Sequence, residues 1–152
     1  MGSIHFTHDE ATRTTYCESI DNDGRHYTGK SQCHDQDSEF YTHLTGEIIA
    51  AKRTVDKVYK AELKQLQREL RIYDNLLYTF KTGKKYDGER DSNMYAQILK
   101  QRRNKQEEVY TVQRLINDNQ TDLADYLKEK EYFYQEMRKI RARRNNEQMG
   151  QE

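Results

Sequence analysis

Residues 59–80 of this chain read YKAELKQLQRELRIYDNLLYTF, and their apolar side chains recur at alternating steps of four and three residues. This spacing places them on one face of an α-helix and is typical of a coiled-coil seam. The seam positions are Tyr59, Leu63, Leu66, Leu70, Tyr73, Leu77 and Phe80. Similar spacing begins at Phe40, so we predict a first helix over about residues 38–82, capped by Asp37 or Ser38.

A second helix is predicted after the polar, glycine-containing stretch 84–90, which has the composition of a loop. Asp91 or Ser92 can cap this helix, and its seam keeps one heptad phase as far as Ile140. We therefore predict a helix over about residues 91–143 and a disordered tail over 145–152. The chain contains no proline, which is compatible with long uninterrupted helices.

Folding the two helices back about residue 87 makes an antiparallel helical hairpin with a definite register. The seam residues expected to meet are Phe80 and Met94, Tyr73 and Arg102, Leu66 and Val109, Tyr59 and Ile116, and Phe40 and Phe133. Lys105 and Arg102 interrupt the apolar seam, and we interpret them as a register device in preference to an anion-binding spot.

The first 37 residues predict a small β-hairpin. Residues 14–20 and 25–33 have strand-forming composition, and Asn22-Asp23-Gly24 between them is a strong turn signal. A two-residue turn at Asp23-Gly24 would pair Ile20 with Tyr27 and Tyr16 with Ser31. One face would then hold Tyr16, Ile20, Tyr27 and Cys33, with Cys17 on the other. Residues 4–7 can add a third strand, because an isolated hairpin is marginal in water.

Candidate residues for catalysis or metal binding are few. The predicted register separates Cys17 from Cys33, which argues against a disulfide, and no C-x-x-C or H-x-x-x-H pair is present. Cys33 and His34 are neighbours on a strand, so their side chains point to opposite faces and cannot pair. We therefore expect no metal, no cofactor and no enzymatic activity.

Charge is balanced over the chain, with 26 basic and 26 acidic residues, but it is unevenly distributed. Residues 1–40 contain eight acidic and three basic residues, and a basic run lies near the C-terminus. The acidic head and this basic end could meet within one molecule or between two. Alternatively, the run could bind nucleic acid through phosphate contacts. Its members are Arg138, Lys139, Arg141, Arg143 and Arg144.

No stretch approaches the roughly 18 apolar residues of a membrane span, and the first residues lack the features of a signal peptide. We therefore predict a cytoplasmic protein without a membrane partner. Apolar residues off the main seams imply a second neighbour for the helices, so we also predict a homo-oligomer, most simply a dimer with a four-helix body. These off-seam residues are Ile49, Val58, Ile72, Leu76, Leu99, Leu115 and Leu127.

The junction between hairpin and helix resembles a pattern in small, largely uncharacterised early or accessory proteins of tailed phages of Gram-positive bacteria. The matching residues are Gly29, Cys33, His34, Asp37, Phe40 and the run Thr45-Gly46-Glu47-Ile48-Ile49-Ala50-Ala51-Lys52-Arg53. Asp35 stands where those proteins usually have proline, and the long helices lie outside the match. The resemblance implies a phage origin and action on host machinery or host defence, in some such proteins by sequestering a nucleotide immune signal.

Tyrosines outnumber phenylalanines 12 to 4, which suits interfaces that are partly wet. We predict a composite partner-binding surface at the hairpin end of the helices, with Tyr27, Phe40, Tyr41 and Arg53 as core contacts and Tyr134 at the rim. The predicted function is a non-catalytic inhibitor or adaptor that binds a host protein or a small host ligand in the host cytoplasm. The structural alternative is that the hairpin only caps the open end of the coiled coil.

Overall fold

A computed structural model describes residues 2–82 and 88–150 of the chain. The protein is mainly helical, with an N-terminal antiparallel sheet followed by two long helices, which confirms the predicted fold class. The strands are β1 (Ser3–Asp9), β2 (Thr14–Ile20) and β3 (His26–Gln32), and a short 3-10 turn follows at Asp35–Asp37. The helices are α1 (His43–Thr82) and α2 (Gly88–Gly150), and none of the described helices is long and apolar enough to cross a membrane.

The helix starts differ from those predicted. α1 begins at His43, because the 3-10 turn occupies Asp35–Asp37 and the Thr42 hydroxyl accepts a hydrogen bond from the Thr45 amide, as an N-cap does. α2 begins at Gly88, so Asp91 and Ser92 lie inside the helix and not at its cap.

Further along, α2 is continuous through residues 117–122 and extends through residues 145–150, which we had assigned to a disordered tail. No proline interrupts this segment, and the next glycine is at 150, where the described helix ends. The predicted loop, apart from its last residues in α2, lies outside the described residues.

The chain divides into two compact units. The head unit comprises Met1–Asp56 and Asn119–Glu152, and the helical unit comprises Lys57–Asp118. The helical unit has a core of Leu66, Val109, Val112 and Ile116, against which Tyr59, Leu63 and Leu70 pack. These contacts match the predicted antiparallel register.

Charged side chains fix the same register in the helical unit. Arg102 donates to Asp74 at 2.5 Å, and the Lys105 ammonium lies 2.9 Å from Glu69 and 3.3 Å from Glu108. Both seam cations therefore bind carboxylates of their own chain. These pairs support our interpretation of Arg102 and Lys105 as register devices.

The sheet of the head unit has the order β1-β2-β3, and β1 supplies the expected third strand. The predicted hairpin register is wrong by one residue: Ile20 pairs with His26, Tyr16 with Lys30 and Cys17 with Gly29. The loop has three residues in place of two, because the Asp21 amide bonds Arg25 O and Gly24 adopts φ +78° as the bulge residue. The Asp21 carboxylate accepts from the Asp23 and Arg25 amides and holds this loop.

The register shift moves side chains between faces. Cys17 lies on the buried face, whereas Tyr16 is exposed on the opposite face. Tyr27, which we placed beside Tyr16, lies on the same face as Cys17 because it pairs with Ser19. Cys17 and Cys33 are both free thiols.

The seam of α2 also drifts in the head unit. Tyr134, not Phe133, is the residue buried against Phe40, and Phe133 is exposed. A straight α-helix has 3.6 residues per turn, so its inward face moves about 20° per heptad relative to a strict seven-residue repeat. The constant heptad phase predicted as far as Ile140 is therefore wrong at this end of the helix.

Candidate functional site

The predicted partner-binding residues lie in the head unit, where Phe40 and Tyr134 are in contact. The Tyr134 ring is 5.4 Å from the Phe40 ring, and its hydroxyl donates to Phe40 O at 3.4 Å. Only 4% of Tyr134 is exposed, so it lies in the interior and not at the rim of a surface. The pKa of its hydroxyl is raised, mainly by burial and to a smaller extent by the nearby Cys33 and Asp37.

Tyr41, which lies just before α1, and Arg53 of α1 both make contacts with the sheet. The Tyr41 hydroxyl bonds the buried Thr15 hydroxyl at 2.9 Å, and the Arg53 guanidinium donates to Lys30 O at 2.7 Å. Tyr27 is half-buried on β3. These contacts give Tyr41, Arg53 and Tyr134 a structural role, whereas their role in partner binding stays a prediction.

The two glycines of the phage-like pattern allow helix and sheet to touch. A Cβ on Gly29 would lie 2.6 Å from both Ala50 O and the Thr54 hydroxyl, and one on Gly46 would lie 2.2 Å from the Thr15 hydroxyl. Thr15, Ala50 and Thr54 are almost fully buried at this contact. The spacing of these residues thus has a packing explanation and does not itself identify a ligand.

A polar network that we did not predict joins β1 and β2 to the start of α1. The His8 ring bonds Glu47 at 2.9 Å and the Thr15 hydroxyl at 3.2 Å. It also stacks on His43 at 4.0 Å, and His43 bonds Glu10 at 2.7 Å. Glu47, His8 and Thr15 have the order of an acid, a base and a hydroxyl nucleophile. The Thr15 side chain is fully buried, however, so in this conformation the hydroxyl is closed to a substrate.

Sequence reasoning missed this network because Glu47 is 39 residues away from His8, and only the register of β1 brings the two together. The one available signal was the concentration of all five histidines in the first 43 residues. Among the residues that the structure describes, no group of three or more histidine, cysteine, aspartate or glutamate side chains is placed to hold a metal ion.

Cys33 lines a small cavity with His34, Asp37, Lys130 and Tyr134. Its volume is about 10 Å³, which is roughly the space that one water needs. Burial, and then the negative charge of Asp37, raise the pKa of the Cys33 thiol. A raised pKa disfavours the thiolate, which is the nucleophilic form of cysteine.

The basic end of α2 meets the acidic head within one molecule. Asp37 is buried and accepts a hydrogen bond from Arg138, which also bonds Glu131. Arg141 pairs with Glu39, and Lys139 pairs with Glu136 at 3.2 Å. Three of the five cations proposed to bind nucleic acid are therefore neutralised by carboxylates of the same chain.

The helical unit exposes an apolar flank. Ile72 and Leu76 follow Glu69 by three and seven residues, so they share its side of α1, and they are 58% and 43% exposed. Leu115 of α2 lines a groove with Glu62, which lies seven residues before Glu69 on the same side. We call Ile72, Leu76 and Leu115 the apolar flank. By contrast, the off-seam residue Ile49 is buried in the head unit.

Comparisons with models of protein families, with curated proteins and with solved structures find no match to this chain.

Proposed function

We propose that this chain is a non-catalytic binding protein that acts as a homo-oligomer, an inhibitor or adaptor of the phage type whose target is a host protein. The observation that carries the proposal is the apolar flank of the helical unit. Burying one leucine or isoleucine side chain contributes about 1.5–3 kcal/mol, so exposing three on one side of the helical unit favours association.

A second copy of the chain suits this flank. Helices with two apolar stripes commonly assemble as four-helix bodies, and a two-fold axis places the same flank of both copies in contact.

A protein target is favoured over a small host ligand for the head unit. Small-molecule sites usually enclose roughly 300–1,000 Å³. The cavity beside Cys33 has about 10 Å³ and would not admit a nucleotide. Exposed side chains on the sheet and the helix ends offer a broader surface, of the kind that protein partners use.

Nucleic-acid binding is the less favoured alternative, because the ion pairs of Arg138, Lys139 and Arg141 would have to open before those side chains could contact phosphates. Arg143 and Arg144 are exposed and lie beyond these pairs on α2.

Sedimentation velocity of matched variants tests the proposal. Leu115 and Leu99 are both on α2 and both 37% exposed, but Leu99 lines a different groove, with Arg103 and Tyr110. Leu115→Asp should convert the oligomer into a folded monomer at micromolar concentration, whereas Leu99→Asp should leave its mass unchanged. A folded wild-type monomer at that concentration would contradict the proposal.

A further inference from the structure

β1 forms one edge of the head-unit sheet. It pairs with β2 on one side, and no strand in the described part of the chain lies on its other side. Edge strands offer backbone donors and acceptors to other chains, and proteins usually protect them with lysine, proline or a bulge. β1 reads SIHFTHD, without lysine or proline, and pairs with β2 regularly over all seven residues.

The opposite edge of the sheet is protected. β3 carries Lys30, and the Arg53 guanidinium donates to the backbone oxygen of that residue at 2.7 Å. The two edges of the same sheet therefore differ in charge and in cover.

Apolar side chains beside the β1 edge lack cover. Phe6 lies opposite Cys17, and Ile4 lies opposite Ser19, so both point to the face on which Cys17 is buried. They are nevertheless 40% and 57% exposed, although α1 covers Cys17 almost completely. A strand added beside β1 would bring its own apolar side chains to the same face and shield these two residues.

The charges near this edge are acidic. The face opposite Phe6 carries Asp9 at the end of β1 and Glu18 of β2, which lies opposite His5. The sequence contains no lysine or arginine before Arg13, which pairs with Asp35. A complementary strand therefore carries basic side chains on this face, whereas β1 of a second copy would bring a second Asp9.

We infer that the free edge of β1 is a docking site at which a protein partner adds an extended strand of alternating apolar and basic residues. The inference rests on the proposed function and specifies the chemistry of the partner. Main-chain hydrogen bonds supply affinity in this mode of recognition, and alternate side chains supply specificity.

The test uses a fluorescent, end-capped peptide of repeating Val-Lys, with a repeating Val-Glu peptide as the control. The intact protein should bind the Val-Lys peptide, measured by fluorescence anisotropy, and the peptide should slow amide exchange in β1 more than in β3. Phe6→Lys should weaken binding by about tenfold or more, because one apolar contact is lost and a like charge is added. Tyr16→Gln changes a side chain of similar exposure on the opposite face without adding a charge and should leave binding within about twofold.

The inference would be overturned by no binding of the Val-Lys peptide, by equal binding of the Val-Glu peptide, or by protection of β3 in place of β1. Self-association lost in Phe6→Lys but kept in Leu115→Asp would also overturn it, because β1 would then pair with its own copy. If Phe6→Lys does not fold, Ile4→Lys replaces it in the binding measurement. Amide exchange of β1 in the wild-type protein, with and without the Val-Lys peptide, then provides the second test. If the Val-Lys peptide does not bind but Leu115→Asp still dissociates the oligomer, only this inference is refuted. If the peptide binds but the wild-type protein is a monomer, only the proposed oligomer is refuted.

Discussion

Gly46 of α1 stands so close to Thr15 of β2 that a Cβ at position 46 would lie 2.2 Å from the Thr15 hydroxyl oxygen. Gly29 makes the corresponding approach from β3, where a Cβ would lie 2.6 Å from Ala50 O. At Gly29 the helix and the sheet of the head unit thus touch backbone to backbone, whereas Gly46 packs against the Thr15 side chain. Small residues in both partners produce this contact.

Gly29→Ala should destabilise the protein strongly, because the new methyl group meets backbone atoms of α1 that cannot rotate away. Overpacking of this kind costs roughly 1–3 kcal/mol, and occasionally more. Urea denaturation followed by circular dichroism measures the loss. Gly150→Ala is the matched control, since nothing lies within 4 Å of a Cβ there. Equal stability of the two variants would show that the helix and the sheet do not pack in this way.

The Asp37–Arg138 pair should contribute more to stability than the exposed ion pairs near it. The Asp37 side chain is only 4% exposed, so Arg138→Gln leaves a buried carboxylate without its strongest partner. Breaking a buried pair typically costs about 3–5 kcal/mol, and an exposed pair is worth about 0–1 kcal/mol. Lys139→Gln, which removes an exposed pair, is the control for the same denaturation measurement. Similar effects of both variants would contradict a structural role for Asp37.

The helices were predictable because their apolar periodicity is long and depends on local sequence. Steps of three and four from Tyr59 to Phe80 predicted the pairing of Leu66 with Val109, and the core of the helical unit confirms it. Helix ends were less predictable, because Thr42 caps α1 although Asp37 and Ser38 are residue types with a stronger capping preference. Capping preference alone therefore selects the wrong residue.

The candidate site was only partly predictable. One extra loop residue at Asn22 changes which side chains of β3 share a face with Cys17, and composition does not distinguish a two-residue from a three-residue turn. Tyr134 was selected as an aromatic residue near the sheet, but its burial depends on the accumulated rotation of a helix of 63 residues. The His8–Glu47 contact depends on tertiary packing, and the concentration of histidines in the first 43 residues does not indicate which carboxylate His8 binds.

The ion pair of Glu69 and Lys105 should make the stability of the protein depend on pH in the acidic range. Hydrogen bonding to Lys105 lowers the pKa of Glu69, so the folded state binds this proton less readily than the unfolded state. The contribution is present above the unfolded pKa, about 4.3, and is lost as pH falls through the folded pKa. Because the pair is partly exposed, the contribution is at most about 1 kcal/mol. Glu69→Gln should reduce the loss of stability between pH 5 and pH 3, measured by urea midpoints.

The opposite end of the pH range gives a check on the same pair. The hydrogen bond to Glu69 raises the pKa of Lys105, so its contribution is present below the unfolded pKa and disappears as pH rises through the folded pKa.

Glu107→Gln changes an exposed glutamate whose carboxylate lies outside this pair and should keep the wild-type acid dependence. If Glu69→Gln and Glu107→Gln reduce the loss of stability between pH 5 and pH 3 equally, the Glu69–Lys105 pair is not its cause.

Binding to nucleic acid should be weak and only slightly dependent on salt. For duplex DNA the slope of log affinity against log salt is about 0.9 per phosphate contact, so Arg143 and Arg144 alone would give a slope near 2. Fluorescence anisotropy with duplex DNA and single-stranded RNA at several salt concentrations measures it. Arg143→Gln with Arg144→Gln should abolish this residual slope. A slope of roughly 4–5 for the wild type would mean instead that all five cations contact phosphates.

Cys33 should react with iodoacetamide slowly at neutral pH, because burial and the charge of Asp37 raise the pKa of its thiol. Lys130 acts in the opposite direction and stabilises the thiolate. Lys130→Gln should therefore slow alkylation further, whereas Asp35→Asn, which removes a weaker negative influence, should accelerate it slightly. Mass spectrometry of the labelled peptide gives the rates, and buried Cys17 should stay unmodified until the protein unfolds. Equal effects of both variants on the Cys33 rate would show that local charge does not control its reactivity.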